Sequence, residues 1–285
     1  MTQHRLPVLF SLFALYIIWG STYFAIRIGV EHWPPLMMAG VRFLLAGMLM
    51  FGWLIARGAP MPNRREWGGA ALLGLLMPAI GNGLVTMAET HVSSGVAALV
   101  VATVPLFTTL FAGLLGHPAR PKEWLALALG FCGIVLLNFG ANLGASPIGA
   151  VLLILACAGW ALGSALSKKV TQPKGMMSSA AMMLCAGVEL LLGSTLRGEH
   201  LSALPPLSGW LAMLYLAVFG SIVAYTAYIY LLAHVRASLA TSYAYVNPVI
   251  AVLLGMGLLG EHVGQAEWAG MGVIVSAVLL LAWRR

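Results

Sequence analysis

Apolar residues fall in ten stretches separated by short polar or Pro/Gly breaks, at 8–28, 35–56, 67–86, 94–116, 122–140, 147–167, 176–196, 209–230, 238–259 and 267–283. A hydrocarbon core of roughly 30 Å takes about 20 helical residues at about 1.5 Å rise, and each stretch is near that length. The pattern predicts an all-α membrane protein with ten transmembrane helices. The first stretch is too long for the core of a signal peptide and carries a polar WGST in its middle, so it reads as a retained helix. The longest connection, 197–208, is about a dozen residues and leaves no room for an appended soluble domain.

Composition agrees with this reading. Of the 285 residues 61% are apolar and 8% charged, with a mean hydropathy of +0.94, values typical of membrane proteins. The net charge of +7 is explained by topology. With the N-terminus inside, Arg5, Arg57, Arg64, Arg65, Arg120, Lys122, Lys168, Lys169, Lys174, Arg236, Arg284 and Arg285 are cytoplasmic, against Arg27 and Arg197 outside. This positive-inside bias predicts an even number of crossings with both termini cytoplasmic, and nucleic acid is not needed to account for the basic residues. Cys132, Cys157 and Cys185 all fall within predicted helices and form neither a disulfide framework nor a metal-ligand spacing.

The chain repeats itself. THVSSGVAALVVATVPLFTTLFAGLLG (90–116) aligns with AHVRASLATSYAYVNPVIAVLLGMGLLG (233–260), pairing His91 with His234 and Pro105 with Pro248. Glu123 and Trp124 pair with Glu267 and Trp268 one residue further on. Five helices (8–140) therefore recur as five (147–283), and an odd number of crossings inverts the second copy. Such repeats give two conformations of similar energy that open to opposite sides, an architecture used by transporters.

Two prolines interrupt this pattern at matched positions. Each lacks an N–H and crowds the carbonyl four residues earlier, so Pro248 is expected to kink the ninth helix and loosen it around Ala244, and Pro105 the fourth. Loosened backbone at membrane depth is tolerated where it is packed in protein or lines a watered cavity. Asn247, Tyr243, Tyr245, Thr241 and Ser242 surround one proline, and Thr103, Thr108 and Thr109 the other. The pattern points to a central cavity between the repeats, although a matched proline pair also serves packing.

WGSTYFAIR (19–27), VRFLLAG (41–47), YVNPVIAVLLGMGLLGE (245–261) and EWAGMGVI (267–274) resemble the ten-helix EamA family of the drug/metabolite transporter superfamily, and within it its inner-membrane proteins. The resemblance spans about residues 8 to 282 and its motifs recur in both halves. One departure is that Gly260-Glu261 after the ninth helix is matched after the fourth by Gly116-His117. The resemblance implies a multi-pass inner-membrane transporter that exports amino acids, other metabolites or toxic compounds by alternating access. Its partners would be a small-molecule substrate and the lipid bilayer. No cofactor is implied, the oligomeric state is left open, and a monomer is compatible with the architecture.

The family resemblance places the cavity walls on the third, fourth, eighth and ninth helices, with the first and sixth contributing. Asn82, in GNGLVT, lies near mid-depth between two glycines, and its repeat partner is Tyr225. Tyr225 and Tyr228 share a helix face and, with Tyr243, offer an aromatic hydrogen-bonding lining. Tyr228 and Tyr230 also suit an interfacial belt. Trp19 and Trp160 occupy matched mid-helix positions, too deep for such a belt. They suit a gate, a cavity wall or helix packing, with Tyr23 one turn beyond Trp19.

Charges at membrane depth are costly. Arg42 and Glu189 each lie about 10 Å from the outer ends of their helices, a depth that permits either an ion pair or separate partners. The sequence has no Asp, and of its Glu residues only Glu189 lies well within a span, with Glu89 near a helix end. Facilitated diffusion and proton antiport are both open on these residues. A phosphate loop and HExxH are missing, the histidines sit at termini, connections or span ends, and without Asp a Ser/His pair lacks its usual orienting partner. Enzymatic activity is not expected; a channel or lipid-moving protein is the alternative of comparable composition.

Overall fold

The computed structural model describes residues 5–137, 146–259 and 264–282. Residues 138–140, Gly260, Glu261, His4, His262, Arg284 and Arg285, with the side chain of Glu267, lie outside the described set. Every regular element among the described residues is helical. In chain order they form α1 (Arg5–Val30), α2 (Pro35–Ala56), α3 (Arg64–Ala88), α4 (Ser94–Val101 and Val104–Leu114) and α5 (Pro121–Leu137), followed by α6 (Pro147–Leu166), α7 (Met176–Leu196), α8 (Leu207–His234), α9 (Ala237–Ala240 and Tyr243–Leu259) and α10 (Gln265–Ala282). By length and apolarity α1–α4 and α6–α8 are able to cross a membrane. Phe10, Phe13, Leu49, Leu114, Leu192 and Leu196 point large apolar side chains outward, as a lipid-facing surface requires.

Local chemistry explains most boundaries. Asn63 caps α3 through the N–H groups of Arg65 and Glu66, and the Glu66 carboxylate accepts the Asn63 N–H in return. Pro35 and Pro147 sit in the first turns of α2 and α6, where a missing N–H costs nothing. Glu199 accepts hydrogen bonds from the Leu36 and Met37 N–H groups at 3.3 and 2.9 Å. It thereby supplies the start of α2 with the anion its dipole favours.

α3 and α8 both change winding midway. Leu75–Asn82 and Leu216–Val223 form matched eight-residue π-helical segments, a winding often found at functional sites. The α4 and α9 interruptions are less symmetric. α4 breaks at Ala102–Thr103, directly before Pro105, whereas α9 breaks at Thr241–Ser242 and runs helically through Pro248. Thr241 and Ser242 hydroxyls donate back to the Ala237 and Leu239 carbonyls, a side-chain competition that disfavours regular helix there. The backbone around Ala244 is held by three-residue turn bonds, from the Ala244 N–H to the Thr241 carbonyl at 3.1 Å and from the Tyr245 N–H to the Ser242 carbonyl at 3.0 Å.

Packing follows the repeat. α2 lies along α7 and α5 along α10, each helix against its own repeat equivalent. The α1 contacts with α8 and α9 have counterparts in the α6 contacts with α3 and α4. Close approach in the α2/α7 pair depends on glycine. A Cβ on Gly187 would lie 2.6 Å from the Leu44 nitrogen, and one on Gly47 would lie 2.8 Å from the Leu184 nitrogen. Small residues let apolar helices associate in lipid through contact alone.

Gly187→Ala is expected to lower the thermal midpoint of the purified protein in detergent, at a cost of about 1–3 kcal/mol from overpacking. Gly68→Ala, with open space around the added methyl, is expected to leave it unchanged or slightly raised. Equal midpoints for the two variants would refute the close-packed seam.

Candidate functional site

The matched tryptophans are seated crosswise. Trp19 of α1 donates its indole N–H to the Gly220 carbonyl at 3.0 Å, inside the π segment of α8. Trp160 of α6 lies so close to Gly81, in the π segment of α3, that a Cβ there would meet its ring at 2.7 Å. Each half of the chain therefore docks a tryptophan on the other half's π segment. Their centroids are 5.3 Å apart in an edge-to-face arrangement, and Tyr243 meets Trp19 the same way at 4.6 Å.

A closed hydrogen-bond ring fixes this cluster. Trp160 Nε1 donates to the Tyr228 hydroxyl at 3.0 Å. Tyr228 and Ser164 hydroxyls are 2.6 Å apart, and Ser164 Oγ donates to the Trp160 carbonyl at 2.7 Å. Tyr228 has one proton left to give and Ser164 Oγ is its acceptor, so each donor is used once around the ring. Buried networks satisfied this way are rigid because every removal strands a partner.

Two cavities flank the cluster. The first, about 60 Å³, is bounded by Trp19, Thr22, Tyr23, Arg42, Asn82, Cys157, Trp160, Tyr243 and Asn247, among others. The second, about 230 Å³, opens near the ends of α4, α6 and α8 and is bounded by Thr109, His117, Glu123, Ser164, Lys168, Arg236 and Ser238, among others. Trp160 borders one cavity and Ser164, a turn further along α6, borders the other. The aromatic ring system is thus a septum between two compartments.

The structure brings most of the sequence-derived residues together: Trp19, Tyr23, Asn82, Trp160, Tyr243 and Asn247 all border the first cavity. Tyr225 does not. Its ring is buried behind Trp160 and beside Phe43, with an unpartnered hydroxyl. The eighth helix, expected as a cavity wall, therefore backs the aromatic cluster. Tyr228 is fully buried in the septum, which removes the interfacial-belt alternative for it; Tyr230, by contrast, stacks on His234 at the end of α8. Pro105 lies beside the α4 wall, at the start of its second arm.

Arg42 and Glu189 are not paired. Gly40 and Gly47, seven residues apart, share the α2 face against α7, and Arg42 lies about 200° around the helix from Gly40. It points into the first cavity, away from the helix carrying Glu189. Neither its Nε and Nη1 nor Glu189 Oε2 has a hydrogen-bond partner.

Sequence reasoning missed the charged contacts at the two ends. Beside the second cavity Arg236, from the α8–α9 connection, forms an ion pair with Glu123 at the start of α5. Its Nη2 also donates to Glu123 Oε2 at 2.8 Å, and Ser238 Oγ donates to Oε1 at 3.1 Å. At the opposite end Glu89 is fully buried. Ser94 Oγ donates to its Oε2 at 3.1 Å, its Oε1 has no partner, and Arg27 donates to its backbone carbonyl at 2.8 Å. Burial pushes this carboxyl from the ordinary 4.5 up to about 8, against smaller opposing effects of Ser94 and Arg27. Glu89 is matched by Leu232 and Arg236 by Ser93, so the repeat alignment gave no signal for either contact. Among the described residues no His/Cys/Asp/Glu group is arranged to hold a metal.

Comparison with known proteins places this geometry. The EamA-like transporter family model matches residues 6–139 and 147–283. The inner membrane transporter YedA of Escherichia coli (strain K12) is 57% identical over 98% of this chain and 92% of its own length. Protein PecM of Dickeya dadantii (strain 3937) is 30% identical over 94% of this chain and 91% of its own. A crystal structure 22% identical in sequence shares the fold, with a TM-score of 0.79 over 97% of this chain and 98% of that one.

Glu89 makes stability depend on pH with a defined sign. Its folded value lies above the unfolded one, so between about 4.5 and about 8 the folded state holds more protons. Its contribution is fully present below the lower value and is lost as pH rises through the upper one. The thermal midpoint in detergent is expected to fall across this window in the wild type, and Glu89→Gln to flatten the fall. An equally steep fall in Glu89→Gln would assign it elsewhere.

Proposed function

The chain belongs to the EamA-like transporter family, and from that premise we propose that it is a secondary carrier exporting small organic solutes by alternating access. Transport is the established family function, and the protein is a multi-pass inner-membrane protein like its 57% identical relative. The proposal adds ten crossings, cytoplasmic termini, an inverted relation of the two halves, and a solute site at the first cavity. Amino acids, other metabolites and drug-like compounds are the solute classes. On this reading the chain moves solutes without chemically altering them.

One observation carries the mechanism: two cavities lie on opposite sides of a single aromatic septum built from both halves. A channel needs a continuous opening, whereas a carrier exposes its site to one side at a time. Trp19 and Trp160 each dock on the other half, so a rocking of the halves would shift both tryptophans together and move the closure from one face to the other. The Glu123–Arg236 pair would hold the second-cavity end in this arrangement, and its separation would accompany opening there. With the N-terminus inside, the larger cavity faces the cytoplasm, where an exporter collects its solute. Asn82, Asn247, Tyr23 and Tyr243 supply polar contacts at the first cavity, and Pro105 and Pro248 lie on the helices that would adjust.

Counterflow in liposomes tests the carrier. With labelled amino acids and aromatic cations as probes, uptake is expected to saturate and to rise when the same unlabelled solute is loaded on the opposite side. Asn247→Ala, which alters the cavity wall, is expected to reduce exchange about tenfold, the effect of one lost buried hydrogen bond. Leak of every probe without acceleration from the opposite side would establish a channel or lipid-moving protein instead.

A further inference from the structure

We infer that the first cavity takes solutes bearing a carboxylate and that Arg42 is the anchor for that group. The inference rests on the first cavity being the solute site. Arg42 is 3% exposed, borders the cavity, and leaves Nε and Nη1 without hydrogen-bond partners. Its guanidinium lies 4.4 Å from the Phe43 ring centroid, a contact that offsets only part of the cost of burying a cation. Among the described residues no carboxylate borders the cavity, and Glu189, the acidic residue at similar depth, belongs to the helix on the other side of α2.

Two other arginines, one at each end of the helices, are provided for. Arg236 has Glu123, and Arg27 has the Glu89 carbonyl and, at 3.9 Å, Glu31. Arg42 alone among these three is both sealed from bulk solvent and without an acidic partner. A guanidinium fork matches a carboxylate through two parallel hydrogen bonds, so a solute carboxylate would supply the missing acceptors and the missing charge in one group. The Asn82 and Asn247 amides flank the same space, and the Trp19–Trp160–Tyr243 wall would receive the solute's apolar body. A volume of about 60 Å³ holds roughly four water-sized groups, the scale of a small carboxylic acid.

Three probes with one body separate the anchor from general apolar binding: propanoate, propylamine and propanol. Trp19 and Trp160 at the cavity make tryptophan fluorescence of the purified protein the readout, with thermal stabilisation as a second. The carboxylate is expected to bind saturably and about tenfold or more tightly than the amine or alcohol. Arg42→Gln is expected to abolish that preference and Arg42→Lys to restore part of it. Equal binding of the three probes to the wild type would overturn the anchor without recourse to any variant, as would an undiminished preference in folded Arg42→Gln. Sodium chloride that reproduces the carboxylate's saturable change and displaces it would overturn the organic-solute assignment in favour of an inorganic anion. The carrier reading fails separately: counterflow of any solute without a carboxylate preference removes the anchor and keeps the carrier, whereas Arg42-dependent carboxylate binding without exchange keeps the anchor and removes the carrier.

Discussion

A buried polar group surrounded by lipid-facing helices must find its partner inside the protein, and the Trp160–Tyr228–Ser164 ring meets that demand at the centre of this one. The Trp160 indole donates to Tyr228, Tyr228 to Ser164 and Ser164 to the Trp160 backbone carbonyl, so the ring fixes the position of α6 against α8 without outside help. Trp19 is held in the same layer by the Gly220 carbonyl. The π segments make this possible, since glycine there gives Trp160 access to α3 and a backbone carbonyl gives Trp19 an acceptor on α8. The separation of the two cavities depends on these contacts.

The arrangement also suits a protein with two states. The halves meet through helix pairs whose seams are made of glycine and backbone, as Gly187 against Leu44 illustrates. Seams of this kind contain few directional bonds and can pivot at modest cost. Directional bonds between the halves lie outside these seams, in the central layer where Trp19 meets the Gly220 carbonyl and at the ends where Glu123 meets Arg236 and Glu199 meets the start of α2. An end contact can break while the seam is retained, which is the mechanical requirement of alternating access.

Much of the helical framework was legible because the bilayer imposes length and apolarity on the sequence, and the repeat was legible because Pro105 and Pro248 mark equivalent places. The convergence of Trp19, Tyr23, Asn82, Trp160, Tyr243 and Asn247 was also foreseeable from depth and polarity. Other features depend on rotation about helix axes, which apolar sequences specify weakly. Tyr225 and Tyr228 share a helix face, yet neither borders the first cavity, since Trp160 stands in front of both. Arg42 and Glu189 have equal depth, but the glycine face of α2 turns the arginine away. The π segments had no sequence signal beyond Pro78 in the first, and the Glu123–Arg236 pair arises between positions that the repeat does not relate.

The most direct measurement of the septum is side-specific labelling in sealed membrane vesicles of either orientation. Asn82→Cys reports on the first cavity and Ala165→Cys on the second, each in a background where Cys132, Cys157 and Cys185 are replaced. With an impermeant maleimide and no added solute, Ala165→Cys is expected to react from the cytoplasmic side only, Asn82→Cys to react from each side in turn as the halves rock, and no maleimide to pass into the vesicle interior. Reaction of Ala165→Cys from the outer side, with maleimide entering the vesicles, would mean a continuous path through the protein and would contradict the septum.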